Sequence, residues 1–158
     1  MTPVIPSVLK FIKSTPNRSF LVYPVLVLIW EYFWHGGRII VQPAYIILMI
    51  WGFVQYRLCG KYRTALGGGG PGVNVPPERL VTSGIYRYTR NPMYLSIIIF
   101  LVGLALTLQS HLAGILALSQ VFWFHYQVCK DERRLLDLFG DPYLQYMKKV
   151  KRWVPGLF

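Results

Sequence analysis

The residues best suited to chemistry in this sequence are gathered in the stretch Ser83–Phe100, which reads SGIYRYTRNPMYLSIIIF. Arginine, hydroxyl and amide side chains lead up to Pro92, and the chain then becomes apolar. Proline suits the first turn of a helix and Asn91 is a suitable N-cap, so the pattern predicts a helix that begins near Pro92. The free amides and positive dipole end of that helix, together with Arg87 and Arg90, indicate a binding site for a carboxylate or a phosphate. The alternative is that these arginines only anchor a membrane-spanning helix.

The acidic pair Asp131 and Glu132 forms a second group of candidate residues, after a further apolar block. The turn predicted at Leu108–Leu112 is so short that the helices on either side of it must be neighbours, which returns the chain beside Pro92. The acidic pair then comes within reach of Arg90. Two interpretations stay open: exposed salt bridges worth about 0–1 kcal/mol, or a pocket with one cationic and one anionic wall, which suits a zwitterionic ligand.

The elements that must position these residues are membrane helices, according to the composition. Hydrophobic residues make up 54% of the 158 residues, which leaves too little polar surface for a water-soluble globule. The apolar blocks are slightly shorter than the ~20 residues that cross a bilayer core, and flanking Tyr and Trp extend them into the interface. The sequence therefore predicts an all-α integral membrane protein with one domain, 1–158, and about four transmembrane helices in two hairpins, at 20–34, 39–56, 93–108 and 112–128.

Two further segments lie outside the predicted spans. A long cytoplasmic loop, 57–92, joins the hairpins and contains the glycine-rich run Gly67–Gly72, which is interpreted as a flexible hinge or a mobile lid. After the fourth span, charges alternate with apolar residues at helical spacing. Gly140 is expected to end one helix, and another is expected to begin with Asp141 as its N-cap and Pro142 as its first helical residue. We expect amphipathic helices over 130–152 that lie on the cytoplasmic membrane face.

The distribution of basic residues predicts the orientation in the membrane. With four spans, three clusters of Lys and Arg fall on one face, and only Arg38 falls on the other; the positive-inside rule makes the first face cytoplasmic. We therefore expect a multi-pass protein of the cell (inner) membrane with both termini cytoplasmic. The net charge of +11 fits contact with anionic lipids rather than nucleic acid, because membrane spans separate the clusters. The clusters are Lys10, Lys13 and Arg18; Arg57, Lys61, Arg63, Arg79, Arg87 and Arg90; and Lys130, Arg133, Arg134, Lys148, Lys149, Lys151 and Arg152.

No metal site is expected from the sequence. The two cysteines lack the spacing of metal ligands, and the isolated histidines add no second ligand pair. These residues are Cys59 and Cys129, and His35, His111 and His125.

Two segments carry a family resemblance. They read LVTSGIYRYTRNPMYLS (Leu80–Ser96) and HYQVCKDERRLLDLFGDPYLQYMKKVKRWVP (His125–Pro155), and a short apolar hairpin separates them. Together they resemble the isoprenylcysteine carboxyl methyltransferase family, especially its short prokaryotic-type members, and more distantly the membrane phospholipid N-methyltransferases. The resemblance implies an all-helical membrane enzyme that binds S-adenosylmethionine between the two segments. Its acceptor would be a lipophilic carboxylate, thiol or amine, such as an isoprenylcysteine, that enters from the bilayer.

The resemblance also implies which residues bind the cofactor. Arg90 and the start of the helix at Pro92 are expected to hold the methionine carboxylate, and Glu132 the ribose hydroxyls. An aromatic ring is a good neighbour for a cation, so Tyr94 is expected to face the sulfonium. Two positions depart from the family pattern, since Ser96 replaces a glycine and Asp131 a glutamate. The expected cofactor-binding residues are Tyr86, Arg90, Asn91, Pro92, Tyr94, Asp131 and Glu132.

Two residues are candidates for catalysis. Arg90 can orient an acceptor that is already a carboxylate or a thiolate, whereas an amine acceptor needs a base, for which His125 is the candidate near neutral pH. For His125 the alternative is a purely structural role at an interface.

Two other functions stay open at this stage. Membrane sterol-type reductases that use a nicotinamide cofactor are distantly similar, and a non-enzymatic adaptor would use its basic clusters only to bind anionic lipids. The expected partners are a lipophilic or lipid-linked substrate and membrane lipids, and the oligomeric state is left open.

Overall fold

The computed structural model describes residues 11–69 and 77–153, which form helices and turns with no β-strand among them. The predicted all-α class is therefore confirmed for this part of the chain. A short α-helical turn (Thr15–Asn17) and a π-helical segment (Arg18–Val22) precede the first longer helix, and 3₁₀ turns occur at Pro43–Tyr45 and Gly84–Arg87. The longer helices are α1 (Tyr23–Trp34), α2 (Ile46–Gly67), α3 (Pro92–Leu108), α4 (His111–Phe139) and α5 (Asp141–Lys149).

Helix α2 lies further along the chain than the predicted span 39–56. Residues 38–42 are not helical, and a 3₁₀ turn that begins at Pro43 leads into α2 at Ile46. The helix then continues to Gly67, so the first part of the predicted loop 57–92 is helical. The physical reason is that charged residues such as Arg57 and Lys61 end a hydrophobic block but are good helix formers.

Helix α4 corrects the prediction of separate helices before and after residue 129. It runs without a break from His111 to Phe139, because its interior after Gly114 contains neither glycine nor proline. Gly140, with φ of +57°, ends it, as predicted. Gly140 also occupies the N-cap position of α5, so Asp141 is the first helical residue rather than the cap.

The predicted number of spans is not confirmed. Among the described helices, α4 alone is long and apolar enough to cross a membrane, and α3 is apolar but has only 17 residues. The α-helical part of α1 has 12 residues, and α2 extends into charged sequence. The four spans and their orientation therefore remain predictions.

The chain divides into two compact units, one formed by Met1–Phe53 with Ile97–Leu118 and the other by Val54–Ser96 with Ser119–Phe158. In the first unit, the ring of Phe20 meets those of Phe53 and Phe100 edge-on, with centroids 5.3 and 4.8 Å apart. A buried carboxylate, Glu31, accepts a 2.6 Å hydrogen bond from the Ser110 hydroxyl. This bond ties α1 to the turn between α3 and α4.

Close backbone packing in the first unit depends on Gly103 of α3. A Cβ atom at this position would lie 2.8 Å from the backbone nitrogen of Met49 and 2.9 Å from the Cβ of Leu48, both in α2. Real Cβ atoms do not approach backbone that closely, so only glycine allows these two helices to pack at this distance.

The second unit is organised around tyrosines of α5. Tyr143, Tyr146 and Val150 form a buried cluster, against which other apolar residues pack: Leu80, Leu135, Phe139 and Met147. The loop before α3 is held to α2, because the Gly67 carbonyl accepts hydrogen bonds from the amides of Glu78 and Arg79. The predicted hinge Gly67–Gly72 falls in part outside the described residues.

Candidate active site

Most of the predicted cofactor-binding residues line one cavity in the second unit. Its walls come from the end of α2, the segment before α3, the first turn of α3, the second half of α4, and α5. The residues of the predicted set that line it are Tyr86, Arg90, Asn91, Pro92, Tyr94 and Asp131.

Arg90 is held firmly at the edge of α3. Its backbone N–H donates to the carbonyl of Lys151 at 3.0 Å, and its side chain is only 8% exposed. One terminal nitrogen, Nη2, lies 3.1 Å from Oε1 of Glu132. The Nε and Nη1 atoms are buried and have no hydrogen-bond partner within residues 11–69 and 77–153. Arg90 thus lines the cavity, and two of its guanidinium nitrogens are not satisfied by this part of the chain.

Glu132 is buried beside the cavity rather than in its lining. Its side chain is 5% exposed and lies between Arg90 and Arg152. Oε2 accepts hydrogen bonds from Nε and Nη2 of Arg152, at 3.1 and 2.7 Å. The contact of Oε1 with Arg90 lacks hydrogen-bond geometry and is an ion pair only. The proximity expected of Arg90 and Glu132 is therefore present, but in a buried cluster instead of an exposed salt bridge.

Asp131 is the member of the acidic pair that lines the cavity. Its Oδ2 accepts a 2.9 Å hydrogen bond from the hydroxyl of Tyr94. The Tyr94 ring packs on Phe124 with centroids 5.0 Å apart. Both Phe124 and Asp131 belong to α4, so this helix determines the orientation of the Tyr94 side chain. Tyr94 and Asp131 together form a wall that combines an aromatic ring with a carboxylate.

Polar contacts with other parts of the second unit fix the start of α3. The side-chain Nδ2 of Asn91 donates a hydrogen bond to the carbonyl of Arg152 at 3.2 Å. The Thr89 hydroxyl also donates to this carbonyl, at 3.1 Å. Pro92 is fully buried, and Gln55 of α2 donates to its carbonyl at 3.4 Å. Contacts from α2 and from the chain after α5 thus fix the segment in front of α3.

Three tyrosines, Tyr86, Tyr143 and Tyr146, also line the cavity. Tyr146 donates a hydrogen bond to the carbonyl of Tyr86. Burial raises the pKa of Tyr86, Tyr143 and Tyr146 far above the usual value, so all three phenols stay protonated at neutral pH. These side chains are neutral hydrogen-bonding groups and not bases.

His125 is not brought to the cavity. It is exposed on α4, where its Nδ1 accepts a 3.4 Å hydrogen bond from the indole N–H of Trp153 and its Nε2 lies 3.8 Å from the sulfur of Cys129. The buried face of α4 carries Phe124 and Val128, which are spaced by one turn. His125 is one position after Phe124 in the helix and therefore points away from this face. Its predicted role as a base has no support from its position.

Ser96, which replaces a family glycine, is fully buried, and its hydroxyl donates to the carbonyl of Met93 at 2.7 Å. Because this hydrogen bond lies within α3 and Ser96 does not line the cavity, the extra hydroxyl does not crowd the site.

Among the lining residues that sequence reasoning missed, four carry charged or phenolic side chains: Arg63, Arg134, Tyr143 and Tyr146. Arg63 lies in the predicted loop but belongs to the buried face of α2, which also contains Tyr56 and Cys59. The spacing of these three residues, three and then four positions apart, is that of one helix face. This spacing could have placed Arg63 on the buried face of a helix, but its charge indicated a loop instead.

Comparison with known proteins identifies the class of protein that this fold and site represent. A family model described as phospholipid methyltransferase matches residues 39–141, which is more than half of the chain. The chain belongs to this family.

Particular relatives agree with the resemblance to isoprenylcysteine methyltransferases. The Protein-S-isoprenylcysteine O-methyltransferase of Schizosaccharomyces pombe is 38% identical over 78 residues, which cover 48% of this chain and 33% of that protein. The human protein of the same name is 32% identical over 77 residues, 48% of this chain and 27% of that protein. The Methanethiol S-methyltransferase 1 of Bradyrhizobium diazoefficiens is 31% identical over 84 residues, 53% of this chain and 29% of that protein. The chain thus matches a third or less of the length of these curated relatives.

Proposed function

We propose that this protein transfers a methyl group from S-adenosylmethionine to a lipophilic acceptor. The observation that carries the proposal is the buried Arg90 guanidinium, which lines the cavity and whose Nε and Nη1 have no hydrogen-bond partner among the described residues. Leaving a buried donor unsatisfied costs about 1–3 kcal/mol, so the arrangement favours an anionic ligand group such as the cofactor carboxylate. Membership of a methyltransferase family supports the reaction class.

The chemistry of the cavity fits both charges of this cofactor. Arg90 suits its carboxylate, while the Asp131 carboxylate and the Tyr94 ring suit its ammonium or sulfonium group. The enclosed part of the cavity measures about 90 Å³, less than the roughly 300–1,000 Å³ of typical ligand pockets. Lining side chains therefore have to move to admit the whole cofactor.

In this proposal the protein mainly positions the reactants. S-adenosylmethionine would supply an electrophilic methyl group on a positively charged sulfur, and this sulfur would leave as a neutral thioether when the acceptor takes the methyl group. Arg90 holds the carboxylate through charge-assisted hydrogen bonds, and Asp131 keeps the Tyr94 ring in place. The buried tyrosines exclude water from the site, and positioning with water exclusion is what such a displacement requires.

The geometry favours an acceptor that is already a nucleophile. An amine has to lose a proton, and the candidate base His125 lies outside the cavity lining. A carboxylate or a thiolate needs no base, and a guanidinium at the site can orient either anion. We therefore infer that the acceptor is a lipophilic thiolate or carboxylate, such as the carboxylate of a prenylated cysteine.

We further propose that the reaction takes place at the cytoplasmic face of the inner membrane, with both termini cytoplasmic. The length and apolarity of α4 support a membrane location. So do large apolar side chains that are exposed on the described part of the chain, such as Phe33 (76%), Ile115 (66%) and Phe122 (69%). Lipid covers such surfaces in a membrane protein, whereas they promote aggregation in water.

The proposal is tested by thermal unfolding of the detergent-solubilised protein with candidate ligands. S-adenosylhomocysteine at 100 times its dissociation constant should stabilise the protein by about 2.7 kcal/mol. Protection by reduced nicotinamide dinucleotide phosphate instead would indicate a reductase, and protection by neither would indicate a lipid-binding adaptor. Transfer of labelled methyl from S-adenosylmethionine to a prenylated N-acetylcysteine, with the unprenylated compound as control, tests the acceptor class.

A further inference from the structure

The residues that follow α5 are bonded to the segment in front of α3. The Lys151 carbonyl accepts a hydrogen bond from the Arg90 amide at 3.0 Å. The next carbonyl, that of Arg152, accepts from the Thr89 hydroxyl at 3.1 Å and from the Asn91 side chain at 3.2 Å. Two successive carbonyls therefore hold three successive residues in front of α3, of which Arg90 and Asn91 line the cavity.

The side chain of Arg152 completes a charged triad with the site. It donates from Nε and Nη2 to Oε2 of Glu132, at 3.1 and 2.7 Å, while Nη2 of Arg90 lies 3.1 Å from Oε1. Two guanidiniums thus share one carboxylate, and the triad has a net charge of +1. Arg152 makes the two directed hydrogen bonds, and Arg90 has only the ion-pair contact.

We propose that Arg152 is a positioning residue which engages Glu132 and thereby leaves Arg90 available to an anionic ligand group. The inference rests on the proposed function, in which Arg90 binds the cofactor carboxylate. A buried carboxylate forms its strongest pairs with a guanidinium through two parallel hydrogen bonds. With Arg152 absent, Glu132 is free to form such a pair with Arg90 and to compete with the ligand for the same N–H groups.

The test compares two probes that differ at the group Arg90 binds. S-adenosylhomocysteine carries the amino-acid carboxylate, and 5′-methylthioadenosine lacks it. Binding of both to the solubilised full chain is measured for wild type, Arg152→Gln, Arg152→Lys and the control Lys151→Gln. Lys151 has an exposed side chain, so its replacement removes one nearby positive charge and keeps the carbonyl that holds Arg90.

We expect Arg152→Gln to weaken S-adenosylhomocysteine binding by about tenfold, within the range measured for residues of one network, and to leave 5′-methylthioadenosine binding unchanged. Arg152→Lys should be intermediate, and Lys151→Gln should match the wild type for both probes. The double variant Glu132→Gln/Arg152→Gln should recover most of the affinity, because no carboxylate then competes for Arg90.

Other outcomes overturn the inference. An equal loss for both probes, or a double variant weaker than Arg152→Gln alone, would show that Arg152 only braces the fold. Arg152→Lys supplies the same comparison where the glutamine variant does not fold. Failure of the wild type to bind S-adenosylhomocysteine would refute the proposed function itself, whereas wild-type-like binding by Arg152→Gln would refute only the role of Arg152.

Discussion

The hydroxyl of Tyr94 donates a 2.9 Å hydrogen bond to Oδ2 of Asp131, which joins the first turn of α3 to the cavity-lining part of α4. Tyr94→Phe removes the donor from a partly buried carboxylate. We expect the free energy of unfolding to fall by about 1–3 kcal/mol, as measured by denaturation in detergent. Tyr88→Phe, at a side chain that is 56% exposed, should change it by less than about 0.5 kcal/mol. Equal stability of both variants would mean that this hydrogen bond does not stabilise the detergent-solubilised protein.

The proposed ligand-binding role of Arg90 predicts a contrast with another arginine of the same loop. Arg90→Ala should weaken S-adenosylhomocysteine binding roughly ten- to a hundredfold, which corresponds to the loss of a charge-assisted hydrogen bond of about 1.5–3 kcal/mol. Arg90→Lys should recover only part of the affinity, because a point charge replaces a planar fork. Calorimetric titration at low and moderate salt measures both effects.

Arg79→Ala is the matched control for Arg90. Arg79 is exposed, so its loss should cost well under 1 kcal/mol of binding free energy, and the small effect should fade with salt. If the two alanine variants bind S-adenosylhomocysteine equally well, the arginines before α3 are membrane anchors and the carboxylate binds elsewhere.

Close packing at Gly103 predicts a second contrast, within the first unit. Gly103→Ala places a methyl group 2.8 Å from the backbone nitrogen of Met49, so we expect a loss of about 1–3 kcal/mol in unfolding free energy from overpacking. Gly114→Ala in α4 has no atom within 4 Å of the new methyl group and should be neutral or stabilising by up to about 1 kcal/mol. Thermal melting of both variants without ligand provides the measurement, and a Gly103→Ala protein that melts like the wild type would contradict the packing of α2 against α3.

The proposed orientation predicts which residues a membrane-impermeant thiol reagent can reach. In a background that lacks Cys59 and Cys129, Arg38→Cys should be labelled from outside intact cells, and Arg79→Cys only after the cells are permeabilised. Both arginines are exposed, so a difference in labelling reports the side of the membrane. Labelling of Arg79→Cys in intact cells would reverse the proposed topology.

Helix boundaries were predictable where a residue type acts directly on the backbone. Pro92 begins α3 and Gly140 ends α4, because proline favours the first helical turn and glycine the left-handed conformation that follows a helix. Boundaries inferred from polarity were wrong. Charged residues end an apolar block without ending a helix, so α2 and α4 both extend further than their hydropathy indicates.

The site was predictable where its residues adjoin a helix start in sequence. Arg90 and Tyr94 could be found in this way, and the short turn after α3 placed Asp131 near them. Arg63 and Arg152 could not be found in this way. The position of Arg63 depends on which face of α2 is buried, and that of Arg152 depends on the path of the chain after α5. His125 shows the same limit, since its chemistry suited the site but its rotation about the axis of α4 directs it away.

In the proposed membrane location, the unbroken course of α4 relates the proposed chemistry to depth in the bilayer. Its 29 residues measure about 44 Å at 1.5 Å per residue, and the rise from His111 to Asp131 is about 30 Å. That rise equals the thickness of the hydrocarbon core. With His111 at one boundary of the core, the Asp131 wall lies at the opposite boundary, level with the lipid headgroups. An acceptor whose tail lies among the acyl chains would then reach the cavity only if its nucleophilic atom is at the polar end of the molecule.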